Sequence, residues 1–179
     1  SARMLRRSEG KLLNEQVSIF LGHSTVLTFQ EYADGDVWDP IRERLKRAGS
    51  RLRLNDASFL AYALLDAMVD HVFPILEHYG DALEDLEQRI LKSADPGVFA
   101  EIHRLKREML LVRRAVWPMR ELINSMGREQ HECLSESTKV YLRDVYDHSV
   151  QIIDILETYR EVAVGLSESY MTVLSNRMN

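Results

Sequence analysis

Cysteine is nearly absent from this sequence: Cys133 is the single one among 179 residues. That excludes an internal disulfide and fits a reducing compartment. The eight glycines are scattered, so no glycine-rich phosphate loop is available. No apolar run reaches the roughly 20 residues needed to span a bilayer. Ser1 to Lys11 is basic but lacks the apolar centre of a signal peptide. The six histidines show neither HExxH spacing nor a cysteine-rich partner, which argues against a zinc site. His131 and Cys133 read as a chance pair in a loop. No serine sits on a nucleophile elbow, so no enzyme is expected. A net charge of −5 argues against bulk nucleic-acid binding, which wants a basic face. Hydrophobic content of 45% and charged content of 28% are otherwise ordinary for a soluble chain of one or two domains.

What is present is helical periodicity. Ser135 to Asn179 holds no proline and one glycine, Gly165. As one helix it would be about 67 Å long at ~1.5 Å per residue. Val145, Ile152, Tyr159, Leu166 and Val173 recur every seventh position, and Ile155 and Val162 supply the second apolar position of a heptad. Val150, Val164, Met171 and Met178 form another apolar column, so the shaft needs two sets of neighbours. One set can come from this chain and the other most simply from copies of the same helix. A third face carries Asp147, Asp154, Glu161 and Glu168.

Upstream, Glu15–Leu21 and Thr25–Phe29 read as two short strands joined at Gly22-His23-Ser24. Two strands alone are unstable in water, so they must extend a larger sheet or lie on helices. Asp39, as a cap, and Pro40 start a short helix. Asn55 or Asp56 caps a longer one, with Tyr62, Leu65, Val69, Val72, Leu76, Tyr79, Leu83, Leu86 and Ile90 spaced by three and four. Pro74 should bend it. After a break at Ser93–Gly97, Val98, Ile102, Leu105, Met109, Val112, Val116, Met119, Ile123 and Met126 repeat the seam, with Pro118 as a second bend. The two seams predict an antiparallel helical hairpin. An acidic descending arm (Asp81, Glu84, Asp85, Glu87) and a basic returning arm (Arg104, Lys106, Arg107, Arg113, Arg114) support that pairing. Ser135 can cap the shaft, continuous from about Lys139.

The predicted fold class is therefore α+β, predominantly α: the remnant of an α/β domain with a short β-hairpin, then a long helical hairpin and a long stalk helix. The segments are 1–54, 55–134 and 135–179. Asp144, Asp147 and His148 share a helix face by their spacing of three and four, so Asp144 and Asp147 can offer oxygens to one hard cation. Asp66 and Asp70 lie one turn apart. For each pair the competing reading is a solvated acidic face, which spacing alone favours, and the same holds for Glu168.

Several runs resemble one family. Leu142-Arg143-Asp144-Val145-Tyr146-Asp147-His148 resembles the stalk-helix signature of the CorA magnesium and cobalt transporters. So do Ala115-Val116-Trp117-Pro118-Met119-Arg120-Glu121, Asp36-Val37-Trp38-Asp39-Pro40-Ile41-Arg42-Glu43-Arg44 and Leu64-Leu65-Asp66-Ala67-Met68-Val69-Asp70 resemble family runs, in the same order. Leu174-Ser175-Asn176-Arg177-Met178-Asn179 is similar to the last turns before the family's first membrane helix. The resemblance implies a cytoplasmic part of an inner (plasma) membrane protein, lacking an early αβ segment, both membrane helices and the Gly-Met-Asn pore signature. It implies a homopentamer with five stalk helices around the ion path. It implies that Asp144 binds a regulatory divalent cation between subunits, with Asp66 near that site and Glu168 near the pore entrance. Mg2+ would be both regulatory and transported, and Co2+ possible as cargo. The rival readings are a zinc-transporting relative of the same architecture, a soluble coiled-coil scaffold, and, most distantly, a metal-dependent hydrolase.

Overall fold

The computed structural model describes residues 1–32, 34–92 and 95–178. Ser93 and Ala94 of the expected break, Asn179 at the end of the shaft, the Met178 side chain and Ala33 lie outside the described residues. Three strands, β1 (Ala2–Ser8), β2 (Lys11–Leu21) and β3 (Val26–Gln30), form an antiparallel sheet in the order β1-β2-β3. Six helices follow: α1 (Asp39–Lys46), α2 (Arg51–Leu54), α3 (Ala57–Asp70), α4 (Val72–Lys92), α5 (Pro96–Arg128) and α6 (Glu136–Met178).

The expected two-strand hairpin is the β2–β3 half of this sheet, and Gly22 N–H closes its turn on Thr25 O at 2.9 Å. β1 and the first residues of β2 extend the sheet beyond the expected hairpin into the basic N-terminal stretch. Ala2, Met4 and Leu5 are buried, Arg3 is exposed, and Arg7 reaches Glu108 of α5 at 3.3 Å. The β1–β2 turn is Glu9-Gly10, both with positive φ (49° and 76°), the conformation that matches the twist of a two-residue hairpin. One sheet face lies on the helices, which meets the stability requirement the sequence posed.

Helix starts follow local chemistry. The Asp56 carboxylate caps α3 by accepting from Phe59 N–H at 3.1 Å, and Asp95 caps α5 by accepting from Gly97 N–H at 2.9 Å. α1 is shifted by one residue from the expected cap: Asp39 is its first helical residue and Trp38 flanks it. The helical run from Ala57 divides at His71, three residues before Pro74. Proline lacks an N–H and crowds the carbonyl four residues earlier, here Asp70. Pro118, by contrast, sits inside α5 without ending it. Part of 57–92 is long and apolar enough to cross a membrane by length and composition, which corrects the expectation that no run qualifies. In this fold its Leu64, Leu65, Met68, Val69, Ile75 and Leu76 are buried.

One hydrophobic core runs from Met4 and Val17 through both arms to Leu166 and Tyr170. α5 packs along α6 more extensively than along α4, and α4 also lies on α6, so the arms close on the shaft as well as on each other. The arm charges do not pair as expected. Arg113 binds Glu157 of the shaft at 3.0 Å, Arg104 pairs with Glu108 on its own helix at 3.0 Å, and among the described residues Arg89 of α4 pairs with Glu101 of α5. Asp81, Glu84, Asp85 and Glu87 are exposed, and solvated charges gain little from pairing.

The shaft is unbroken through Tyr159 and starts at Glu136, slightly earlier than expected; Ser135 Oγ accepts from Thr138 N–H at 3.4 Å. Val145, Ile152 and Leu166 are buried as the first heptad column. The second column is Leu142, Ser149, Leu156, Ala163 and Tyr170, which corrects Ile155 and Val162. Ser149 is tolerated because its hydroxyl donates to Val145 O at 2.9 Å.

Candidate metal centre between α3 and α6

α3 and α6 run side by side in the same direction. At their starts Ser58 Oγ donates to Thr138 Oγ1 at 2.8 Å, a sequence separation of 80; about three turns on, Asp70 Oδ1 and His148 Nδ1 are 3.0 Å apart, a separation of 78. Between them Phe59, Tyr62 and Tyr141 pack with ring centroids 5.2–5.4 Å apart, and Arg51 lies over Phe59 and Tyr141. This register brings Asp66 opposite Asp144 and Asp70 opposite His148.

Asp66, Asp70 and His148 each present one ligand atom, all within 4.8 Å of one another. The His148 ring is braced edge-on by Phe73 at 5.9 Å, and its side chain and that of Asp70 are 44% and 51% exposed, open enough for an ion to enter. Burial, then the Asp70 charge, pushes the Asp66 carboxyl above its ordinary value; Asp144 adds to this, while His148 and Arg44 oppose it. Asp66 also lines a cleft of about 250 Å³ with Arg44, Arg51, Tyr62 and Tyr141. Burial and the charges of Asp66, Asp144 and Asp70 push the Tyr62 phenol up to about 12. A half-buried carboxylate crowded by two others is a group that a cation relieves.

Asp144 is exposed and near enough for its charge to act on Asp66 and Tyr62, without belonging to the tight cluster of three. Asp147 is not brought to the cluster. It lines shallow depressions on the shaft with Arg143 and Lys139 on one side and Gln151 and Asp154 on the other. The spacing argument that paired Asp144 with Asp147 is therefore replaced by pairing across helices. Glu168 is exposed and lies about six turns farther along the shaft. Tyr62 was read from sequence only as a seam residue; its place one turn before Asp66 was the available signal.

Comparison with known proteins bears on the whole chain. Residues 1–179 match the family described as CorA-like Mg2+ transporter protein. The chain belongs to the CorA-like family. It is 39% identical over 169 residues to the cobalt/magnesium transport protein CorA of Thermotoga maritima, covering 94% of this chain and 48% of that one. It is 31% identical over 168 residues to the putative metal ion transporter YfjQ of Bacillus subtilis, covering 94% and 52%. The chain thus spans about half the length of these curated relatives. The complete CorA magnesium transporter structure from Methanocaldococcus jannaschii superposes with a TM-score of 0.80 at 18% identity, covering 99% of this chain and 56% of that one. The soluble domain of the same protein gives 0.66 at 19% identity, covering 96% and 74%. These two likenesses establish the fold, a small antiparallel sheet with long helices.

Proposed function

We propose that this chain is the cytoplasmic gating and sensing portion of a divalent-cation transporter of the plasma membrane, with Mg2+ and Co2+ as cargo and Mg2+ as regulator. The observation that carries the proposal is the convergence of Asp66, Asp70 and His148 from two helices. Mg2+ is small and hard, binds through one or two carboxylates and keeps waters. Asp66 and Asp70 supply two such carboxylates, and Asp144 supplies a third toward a neighbouring subunit in a homopentamer. Without the cation these carboxylates repel; with it they are bridged and the subunits are held. A ligand that binds one state more tightly shifts the equilibrium toward it, so high internal Mg2+ would hold the closed form. Glu168 would lie near the pore entrance, beyond the reach of this site. Under this reading 1–54 is the end of an α/β domain, 55–134 the hairpin and 135–179 the stalk.

His148 favours a second reading of the cargo. An imidazole nitrogen suits cobalt or zinc better than magnesium, so a zinc-transporting relative is the alternative. The test uses the full-length protein. Asp144→Ala, Asp66→Ala and Asp70→Ala should each raise the Mg2+ concentration that protects the cytoplasmic domain from proteolysis by about tenfold, the scale of losing a charge-assisted contact. Transport should then be less inhibited by internal Mg2+. Wild-type protection and inhibition in all three variants would show that the sensor lies elsewhere.

A further inference from the structure

At the sheet end of the molecule, the turn between β2 and β3 meets the loop between α5 and α6. His23, Glu132 and Cys133 each offer one ligand atom there, and these atoms all lie within 4.8 Å of one another. Both backbones are set independently of any ligand. Gly22 N–H closes the turn that carries His23. Cys133 N–H donates to His131 Nδ1 at 3.2 Å and Leu134 N–H to His131 O at 2.9 Å, with Leu134 buried. His23 Nε2 and Glu132 Oε1 are 3.7 Å apart, too far for a hydrogen bond. Nitrogen and oxygen donors ~2.0–2.2 Å from a tetrahedral ion stand roughly 3.3–3.6 Å from each other, so a shift of about a few tenths of an ångström seats both around one cation.

We infer that His23, Glu132 and Cys133 form a site for a borderline divalent cation of the zinc and cobalt class. Imidazole, carboxylate and thiolate are the donors such ions take. Magnesium, which demands an octahedron of oxygens, matches them poorly. On binding, the Cys133 S–H bond breaks, its proton goes to solvent, and the thiolate sulfur bonds the ion. His131 is a positioning residue and not a ligand. Its Nδ1 accepts the Cys133 N–H, so in the neutral ring the proton sits on Nε2 and no lone pair is left there. Three protein donors leave a fourth position for water. His23 and Glu132 are 71% and 77% exposed, so the ion exchanges without unfolding. Its effect is to clip the sheet to the loop that starts α6, the helix that also carries His148.

The test is a Co2+ titration of the metal-free 179-residue chain under a non-thiol reductant, followed by absorption. The expected result is a near-ultraviolet thiolate-to-cobalt charge-transfer band that saturates at one equivalent and survives excess Mg2+. Cys133→Ser should abolish the band, and His23→Ala or Glu132→Gln should weaken its affinity at least about tenfold. A variant with Asp70→Ala and His148→Ala together should keep it, because the band reports sulfur alone. Circular dichroism separates loss of the site from loss of the fold. Absence of the band at several equivalents of Co2+ in the folded wild-type chain overturns the inference. So does a band of unchanged affinity in His23→Ala and Glu132→Gln, which would make Cys133 a lone ligand.

Discussion

Asp36 shows how much one side chain settles in this fold. Its carboxylate, 7% exposed, accepts from Trp38 N–H at 2.9 Å, Arg42 Nη1 at 2.7 Å and Gln30 Nε2 at 3.3 Å, and also from Arg42 Nη2. It thus joins β3 to the start of α1 and sets Trp38, whose indole N–H donates to Leu64 O at 3.0 Å. The Arg42 guanidinium is the main cause that holds the Asp36 carboxyl below its ordinary 3.8, against the opposing effect of burial. With the folded value depressed, the unfolded chain binds more protons in that window, so the stabilisation is present above 3.8 and lost as pH falls through the folded value. Asp36→Ala should cost roughly 1.5–3 kcal/mol at pH 7, the scale of hydrogen bonds to a charged group. The gap to wild type should narrow below pH 3.8. Urea unfolding at the two pH values checks both. An unchanged gap at low pH would mean that the charge contributes nothing.

At the scale of elements, the shaft carries the sharpest distinction. Leu156 is fully buried, whereas Val162 is 44% exposed. Leu156→Ala should cost about 2–5 kcal/mol and Val162→Ala about 0.5 kcal/mol or less in the isolated chain, measured by urea midpoints. Equal costs would restore the Ile155–Val162 column to the core. The misassignment has a physical origin. The inner column includes Ser149 and Ala163, whose small side chains let helices approach, while the apolar Val162 and Val164 face outward. A heptad read by hydrophobicity alone prefers the larger residues.

For the whole molecule, Val164 and Met171, of the apolar column separate from the inner seam, remain 43% and 54% exposed along the shaft. That strip is the expected contact between copies. In detergent, the full-length protein should sediment as a pentamer, and Val164→Asp with Met171→Asp should shift it toward smaller species. A monomer at every concentration would sink the assembly reading. Mg2+ should slow dissociation of the assembly in wild type and have less effect in Asp144→Ala, which links assembly to the proposed sensor.

Sequence by itself placed the long helices, a bend at Pro74, a helix start at Asn55 or Asp56, another at the Ser93–Gly97 break, and the β2–β3 turn, because each depends on neighbours within one or two turns; α2 (Arg51–Leu54) is too short to carry a readable period. It also marked Asp66, Asp70, Asp144 and His148 as ligand types at helical spacing. It could not pair them, and on spacing alone it set Asp144 beside Asp147. The tertiary structure decided that Asp70 faces His148 across 78 residues, that β1 completes the sheet, and that His23 meets Cys133. The Asp70–His148 contact depends on how α3 and α6 slide past each other. The slide is set jointly by the Ser58–Thr138 bond, the Tyr62–Tyr141 stack and the shared core. Periodicity within one helix shows which face is buried; it carries no information on which residue of a distant helix lies across from it.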